Sequence, residues 1–160
     1  SELLLAGEVD AIFHPAEPQA FIDRNPKIDR LFPDCRAVES AYFAKTGIFP
    51  IMHLVAMRRE LVAAQPWLAG AVFDAYSRAK QLDYQESRRI RWAYSSLPWY
   101  GQEFDDTVKL MGDNFYSYGI EQNRKALRAA FRYLFQQGLA TRELTVEELF
   151  VDSTLALQDV

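Results

Sequence analysis

The sequence predicts an α/β fold, rich in helix and poor in strand. Two observations carry that prediction. Two β-prone apolar runs lie near the front, at residues 9–13 and 48–57, and four or five stretches of helical spacing make up most of the remainder. Two strands do not form a stable sheet in water, so they call for sheet partners that these 160 residues do not contain. The chain is therefore expected to be part of a larger fold. Its opening, SELLLAGEVDAIF, agrees. It begins inside a helical pattern and carries neither a basic leader nor a small-residue cleavage site, so it reads as the tail of a helix rather than as a signal peptide.

Residues 1–6 have helical spacing, with Gly7 suited to the left-handed position that ends a helix. Residues 9–13 form the first expected strand. Residues 14–26 hold three prolines and read as loop, with one helical turn around 18–22. Residues 27–35 are irregular. Ala37, Val38, Ala41 and Tyr42 give 36–45 a helical face that stops at Gly47. IFPIMHLVAM, residues 48–57, is almost wholly apolar and is expected as a strand buried on both faces, with Pro50 near its start.

Helix is expected from residue 59 onward. Pro66 suits the first turn of a long helix whose buried face would be Leu68, Ala71, Val72, Ala75, Tyr76 and Ala79. SSLPWYG breaks the pattern, residues 102–111 resume it, and DNFYSYG is an aromatic loop. Residues 121–137 give the clearest helix, with Leu127, Phe131, Leu134 and Phe135 inside, Arg124, Arg128 and Arg132 outside, and Gly138 at the end. Thr145 and Glu148 have the spacing of a capping box for a last short helix. Beyond Ser153 the chain is expected to fray.

Composition narrows the functional classes. A net charge of −4, with both signs mixed along the chain, gives no electrostatic footprint for nucleic acid or an anionic membrane surface. No apolar run approaches the ~20 residues that span a bilayer. With one cysteine and two histidines there is no intrachain disulfide and no zinc-ligand pattern. Glycine-rich phosphate loops, nucleophile elbows and paired-histidine metalloprotease motifs are also absent from the sequence.

Few residues are left to carry chemistry. His14 directly follows the first expected strand, where open α/β sheets place ligand crevices; the plainer reading is a loop histidine bonded to a nearby carbonyl. His53 alternates with Ile51 and Val55 and is expected to be buried. Burial without a partner would lower its pKa and leave a neutral imidazole able to exchange protons near pH 7. The alternative is a satisfied core histidine. Arg58 and Arg59 close the same run, and an arginine there could fork a carboxylate or simply lead into a solvated helix. Tyr42 could donate a phenolic hydrogen bond.

Four stretches in collinear order, LLAGEVDAIF, LFPDCRAVESAYFAKTGIFPIMHLVAMRRE, LPWYGQEFDDTVKLMGDNFYSYGIEQNRKAL and ELTVEELF, resemble the 4,5-dihydroxyphthalate decarboxylase family. TGIFPIMH and YGIEQNR are the specific motifs; Cys35 departs from the pattern, where an aromatic residue is expected. That family is related to the type 2 periplasmic solute-binding proteins. The resemblance implies the C-terminal portion of a two-lobe α/β fold with a cleft at the hinge. Residues 1–47 would be the remainder of lobe two, 48–57 a hinge-crossing strand, and 58–160 a helical return packing on lobe one. It further implies non-oxidative decarboxylation of a hydroxylated aromatic acid, with no organic cofactor and no metal assigned. His53 and His14 are the implied catalytic residues, and Arg58, Arg36 and Tyr42 the implied substrate-binding ones. The implied partner is a small aromatic carboxylate. An enzyme of this kind would be cytoplasmic. The alternative, a non-catalytic solute-binding protein, would be periplasmic. A further alternative is an inactive fragment, stable only through association with another copy or with its missing half, because open strand edges invite pairing.

Overall fold

Local signals decide where the helices start and stop. The computed structural model describes residues 2–159, apart from the side chain of Trp92. The chain divides into two compact units, Ser1–Lys45 and Thr46–Val160.

In the first unit, α1 (Glu2–Ala6) ends where expected, at Gly7 with φ +75°. The proline-rich stretch contains the single expected turn, α2 (Gln19–Ile22), whose Ala20 is the unit's one buried side chain among the described residues. α3 (Cys35–Thr46) starts at Asp34, whose carboxylate accepts from the Ala37 N–H at 2.9 Å, and stops before Gly47 at φ +63°.

The second unit begins with residues 46–58, then α4 (Arg59–Ala64), α5 (Leu68–Ile90) and a 3-10 turn (Arg91–Ala93). α6 (Tyr100–Met111), α7 (Ile120–Gln136), α8 (Val146–Leu149) and a last 3-10 turn (Asp152–Thr154) complete it. α5 packs on α6 and on the last 3-10 turn, and α7 packs on α8. The core is Ile120, Leu127, Phe131 and Val146, joined by Leu144, Phe150 and Leu155. The expected capping box is present: the Thr145 hydroxyl accepts from the Glu148 N–H at 3.3 Å, and the Glu148 carboxylate accepts from the Thr145 N–H at 2.8 Å.

Several expectations are corrected. No strand forms at 9–13 or 48–57, and among the described residues the only ladder-type pairing is an isolated antiparallel bridge between Gly119 and Gln158. A strand exists only with a partner for its backbone groups, and the described chain supplies none for either run. The run at 48–57 is exposed rather than doubly buried, Met52 reaching 71%. On α5 the buried register is Ala69, Ser77, Lys80, Tyr84 and Ser87, while Ala71, Ala75, Tyr76 and Ala79 of the expected apolar face are exposed. On α7, Leu134 and Phe135 are exposed, so the inner stripe stops at Phe131. Finally, the tail does not fray at Ser153: Asp159 is 3% exposed and its N–H reaches the Tyr118 carbonyl at 3.4 Å.

Candidate functional site

The polar face of α5 explains the anchored tail. Ser77, Lys80, Tyr84 and Ser87 recur at helical spacing on the buried side. The Lys80 ammonium has three protons to give. It donates to Asn114 Oδ1 at 2.5 Å, to the Tyr116 carbonyl at 2.8 Å and to the Asp159 carboxylate. Side-chain exposure is 6% for Lys80 and zero for Asp159, so the pair is out of water. The other Asp159 oxygen, Oδ1, accepts from Asn114 Nδ2 at 2.9 Å and from the Tyr118 N–H at 2.8 Å. The Asp159 carbonyl accepts from Gln122 at 3.1 Å. Every charged atom is thereby satisfied, which is the condition for a buried ion pair to persist.

Aromatic rings close over this cluster. Lys80 Nζ lies 4.3 Å from the centre of the Tyr118 ring and 5.6 Å from that of Tyr84. The Tyr84 hydroxyl accepts from the Tyr116 N–H at 3.1 Å, and its ring stacks on Phe115 at 4.5 Å. Burial pushes the Tyr84 phenol up to about 12, against the opposing effect of that hydrogen bond. Burial also raises the Tyr118 phenol, and the Asp159 carboxylate adds to the shift. Gly119, at φ +107°, has no room for a side chain, since a Cβ would stand 2.4 Å from the Leu157 carbonyl.

Residues flanking YGIEQNR, at 118–124, contact the TGIFPIMH motif in this unit. The Phe49 ring of TGIFPIMH makes an edge contact with Tyr116 at 5.8 Å. Lys125, just after YGIEQNR, donates to the Thr46 carbonyl, and the Thr46 hydroxyl accepts from the Ile48 N–H at 3.1 Å. The start of the 46–53 segment is thus held at both Thr46 and Phe49.

His53 comes four residues after Phe49 and is exposed, which corrects its expected burial. The reason is the missing ladder: without sheet partners, nothing covers the segment that carries it. Arg58 is also exposed. It precedes α4, with its carbonyl accepting from Leu61 N–H at 3.1 Å and Val62 N–H at 3.2 Å. In the first unit, His14 bonds within its own turn. Its Nδ1 lies 2.8 Å from the Ala16 carbonyl, to which a protonated Nδ1 donates, and 3.1 Å from the Ala16 N–H, from which the other tautomer accepts. That is the geometry of a loop histidine bonded locally. Arg36 and Tyr42 both lie on α3, six residues apart, and are exposed. Within its own unit, then, the structure gathers His53 and Arg58 on one exposed segment, and Arg36 and Tyr42 on one helix.

Lys80, Asn114 and Asp159 are the residues that sequence reasoning misses. Only the polar stripe Ser77, Lys80, Tyr84 and Ser87 signals them, and it runs beside a stripe of Ala, Val and Leu with the same period. Among the described residues no three His, Cys, Asp or Glu side chains converge as metal ligands, and no helix is long and apolar enough to cross a membrane.

No family model matches the chain. Over 155 residues, 97% of its length, it is 29% identical to a 4,5-dihydroxyphthalate decarboxylase of Comamonas testosteroni. The chain spans about half of that relative, 47%. The similarity extends along nearly the whole chain, and the resemblance to the 4,5-dihydroxyphthalate decarboxylases stands on it together with the motifs.

Proposed function

We propose that this chain is part of a decarboxylase acting on a hydroxylated aromatic acid such as 4,5-dihydroxyphthalate, giving 3,4-dihydroxybenzoate. The observation that carries the reading is similarity along 97% of this chain, over about half the length of a protein named 4,5-dihydroxyphthalate decarboxylase. In this reading the chain supplies the C-terminal portion of a two-lobe fold, with 1–47 in lobe two, 48–57 crossing the hinge and 58–160 returning as helices. The exposed apolar residues of 48–57 support it, because such a segment is suited to completing a sheet whose other strands lie elsewhere.

The substrate's own chemistry dictates the roles. A base takes the proton of the hydroxyl para to the departing carboxylate. The ring then accepts a proton at the carboxylate-bearing carbon, and the loss of aromaticity is reversed when the carbon–carboxylate bond breaks and CO2 leaves. His53 is assigned the proton delivered to that carbon, and His14 the phenolic oxygens. Arg58 or Arg36 holds the carboxylate that stays, with Tyr42 as a further hydrogen-bond donor. The substrate supplies the electrons, so the scheme calls for no organic cofactor.

The test is incubation of the gene product that contains this chain with 4,5-dihydroxyphthalate, monitoring 3,4-dihydroxybenzoate by absorbance. Product accumulation over many turnovers is expected. Saturable binding without product would replace this reading with that of a solute-binding protein.

A further inference from the structure

The buried ion pair of the second unit is remote in sequence from the histidine, yet a short series of contacts links it to Phe49, four residues before that histidine. Lys80 donates to the Tyr116 carbonyl and Tyr84 accepts from the Tyr116 N–H, so α5 grips both sides of one residue. Asn114 bonds both Lys80 and Asp159, and the Tyr118 N–H bonds Asp159. The loop 113–118 is therefore fixed by the clasp at Asn114, Tyr116 and Tyr118. Tyr116, by contrast, is 55% exposed as a residue, and one edge of its ring rests on Phe115 at 5.3 Å. Its ring meets Phe49.

We propose that the Lys80–Asp159 pair positions the His53 segment: it fixes the 113–118 loop, and Tyr116 of that loop holds Phe49 four residues before the imidazole. Lys80, Asp159 and Tyr116 are positioning residues, and this assignment deepens the reading of His53 as the proton-transfer group and rests on it. The chemistry favours such a device. A proton donor must sit within about 3 Å of the reacting carbon, and a loose segment loses that geometry. A charge pair sealed from water, with each acceptor and donor matched, has one low-energy arrangement, and a loop built on it inherits that arrangement. Lys125, holding the Thr46 carbonyl, is the second anchor of the same segment.

Backbone amide relaxation by NMR on the 160-residue chain, without substrate, tests the proposal. In the wild type, the amides of Ile48 and Phe49 are expected to have order parameters near ~0.85, as in rigid backbone. Asp159→Asn should lower them below ~0.6 while α7 stays rigid. Tyr116→Leu, which leaves the backbone bonds to Lys80 and Tyr84 in place, should do the same and shift the Phe49 ring protons. Tyr116→Phe, which keeps the ring, should restore wild-type values. Flexible wild-type amides at 48–49, or unchanged order in Tyr116→Leu, would overturn the proposal. If Asp159→Asn loosens α7 as well, Tyr116→Leu alone decides. Because no substrate is involved, failure here leaves the catalytic reading of His53 untouched, and failure of that reading leaves the clasp.

Discussion

Residues 2–45 and residues 46–159 are held by different means. In the first stretch, the described order rests on a helix stop at Gly7, one turn at Gln19–Ile22, and an exposed ion pair between Arg30 and Glu17. In the second, groups far apart in sequence meet, as Lys80 does with Asp159 and Leu127 with Val146. Both histidines are exposed, but the second follows a segment start that Tyr116 and Lys125 hold. In the proposed reading, order at His53 does not come from burying it but is borrowed from a buried pair through an intervening loop.

The sharpest way to break the comparison is to remove one charge from each ion pair. Asp159→Asn leaves Lys80 buried without its counter-charge and should cost about 3–5 kcal/mol. Glu17→Gln, at a pair about half exposed on both sides, should leave the unfolding midpoint where it is. All three tryptophans, Trp67, Trp92 and Trp99, lie in the second stretch, so their fluorescence in urea reports that unit; circular dichroism reports the helices of both. Equal costs for the two substitutions would erase the distinction.

Apolar deletions repeat the test without charge. Leu127→Ala empties a site that is 5% exposed and should cost about 2–5 kcal/mol. Phe13→Ala removes a ring that stands fully in solvent, and its effect should stay within about ±0.5 kcal/mol. Urea midpoints of the two variants check this.

A smaller effect is expected in alkali. Folding raises the Tyr84 phenol from its ordinary 10.0 to about 12, so the folded state holds that proton more tightly than the unfolded chain. The associated stability is complete below pH ~10 and is lost as pH rises through about 12. The urea midpoint should therefore fall across that interval, and Tyr84→Phe should show a shallower fall. Identical slopes would mean the phenol is not desolvated.

How much of the fold is legible in the sequence depends on how local each signal is. The capping box at Thr145, the stop at Gly7 and the extent of α7 depend on residues within one or two turns, and they read directly. The runs at 9–13 and 48–57 have strand composition, but a strand is a property of two segments, and the described residues provide no second one. On α5, apolar periodicity marks the face with alanine and leucine. The face that is buried carries Lys80 and Ser87, because their partners, Asp159 and Tyr100, come from distant parts of the chain. A charge pair 79 residues apart has no local signature. The candidate site is legible only as residue types: two histidines among few reactive groups. His53's exposure is not, since it depends on what covers the segment.

In the proposed mechanism, the imidazole of His53 delivers the proton that allows CO2 to leave. Turnover of 4,5-dihydroxyphthalate by His53→Gln, compared with the unsubstituted gene product, tests it most directly. A loss of at least ~100-fold in kcat is expected, as for removal of a general acid. Turnover within a factor of about three of the unsubstituted protein would contradict it and leave His53 a bystander on an anchored segment.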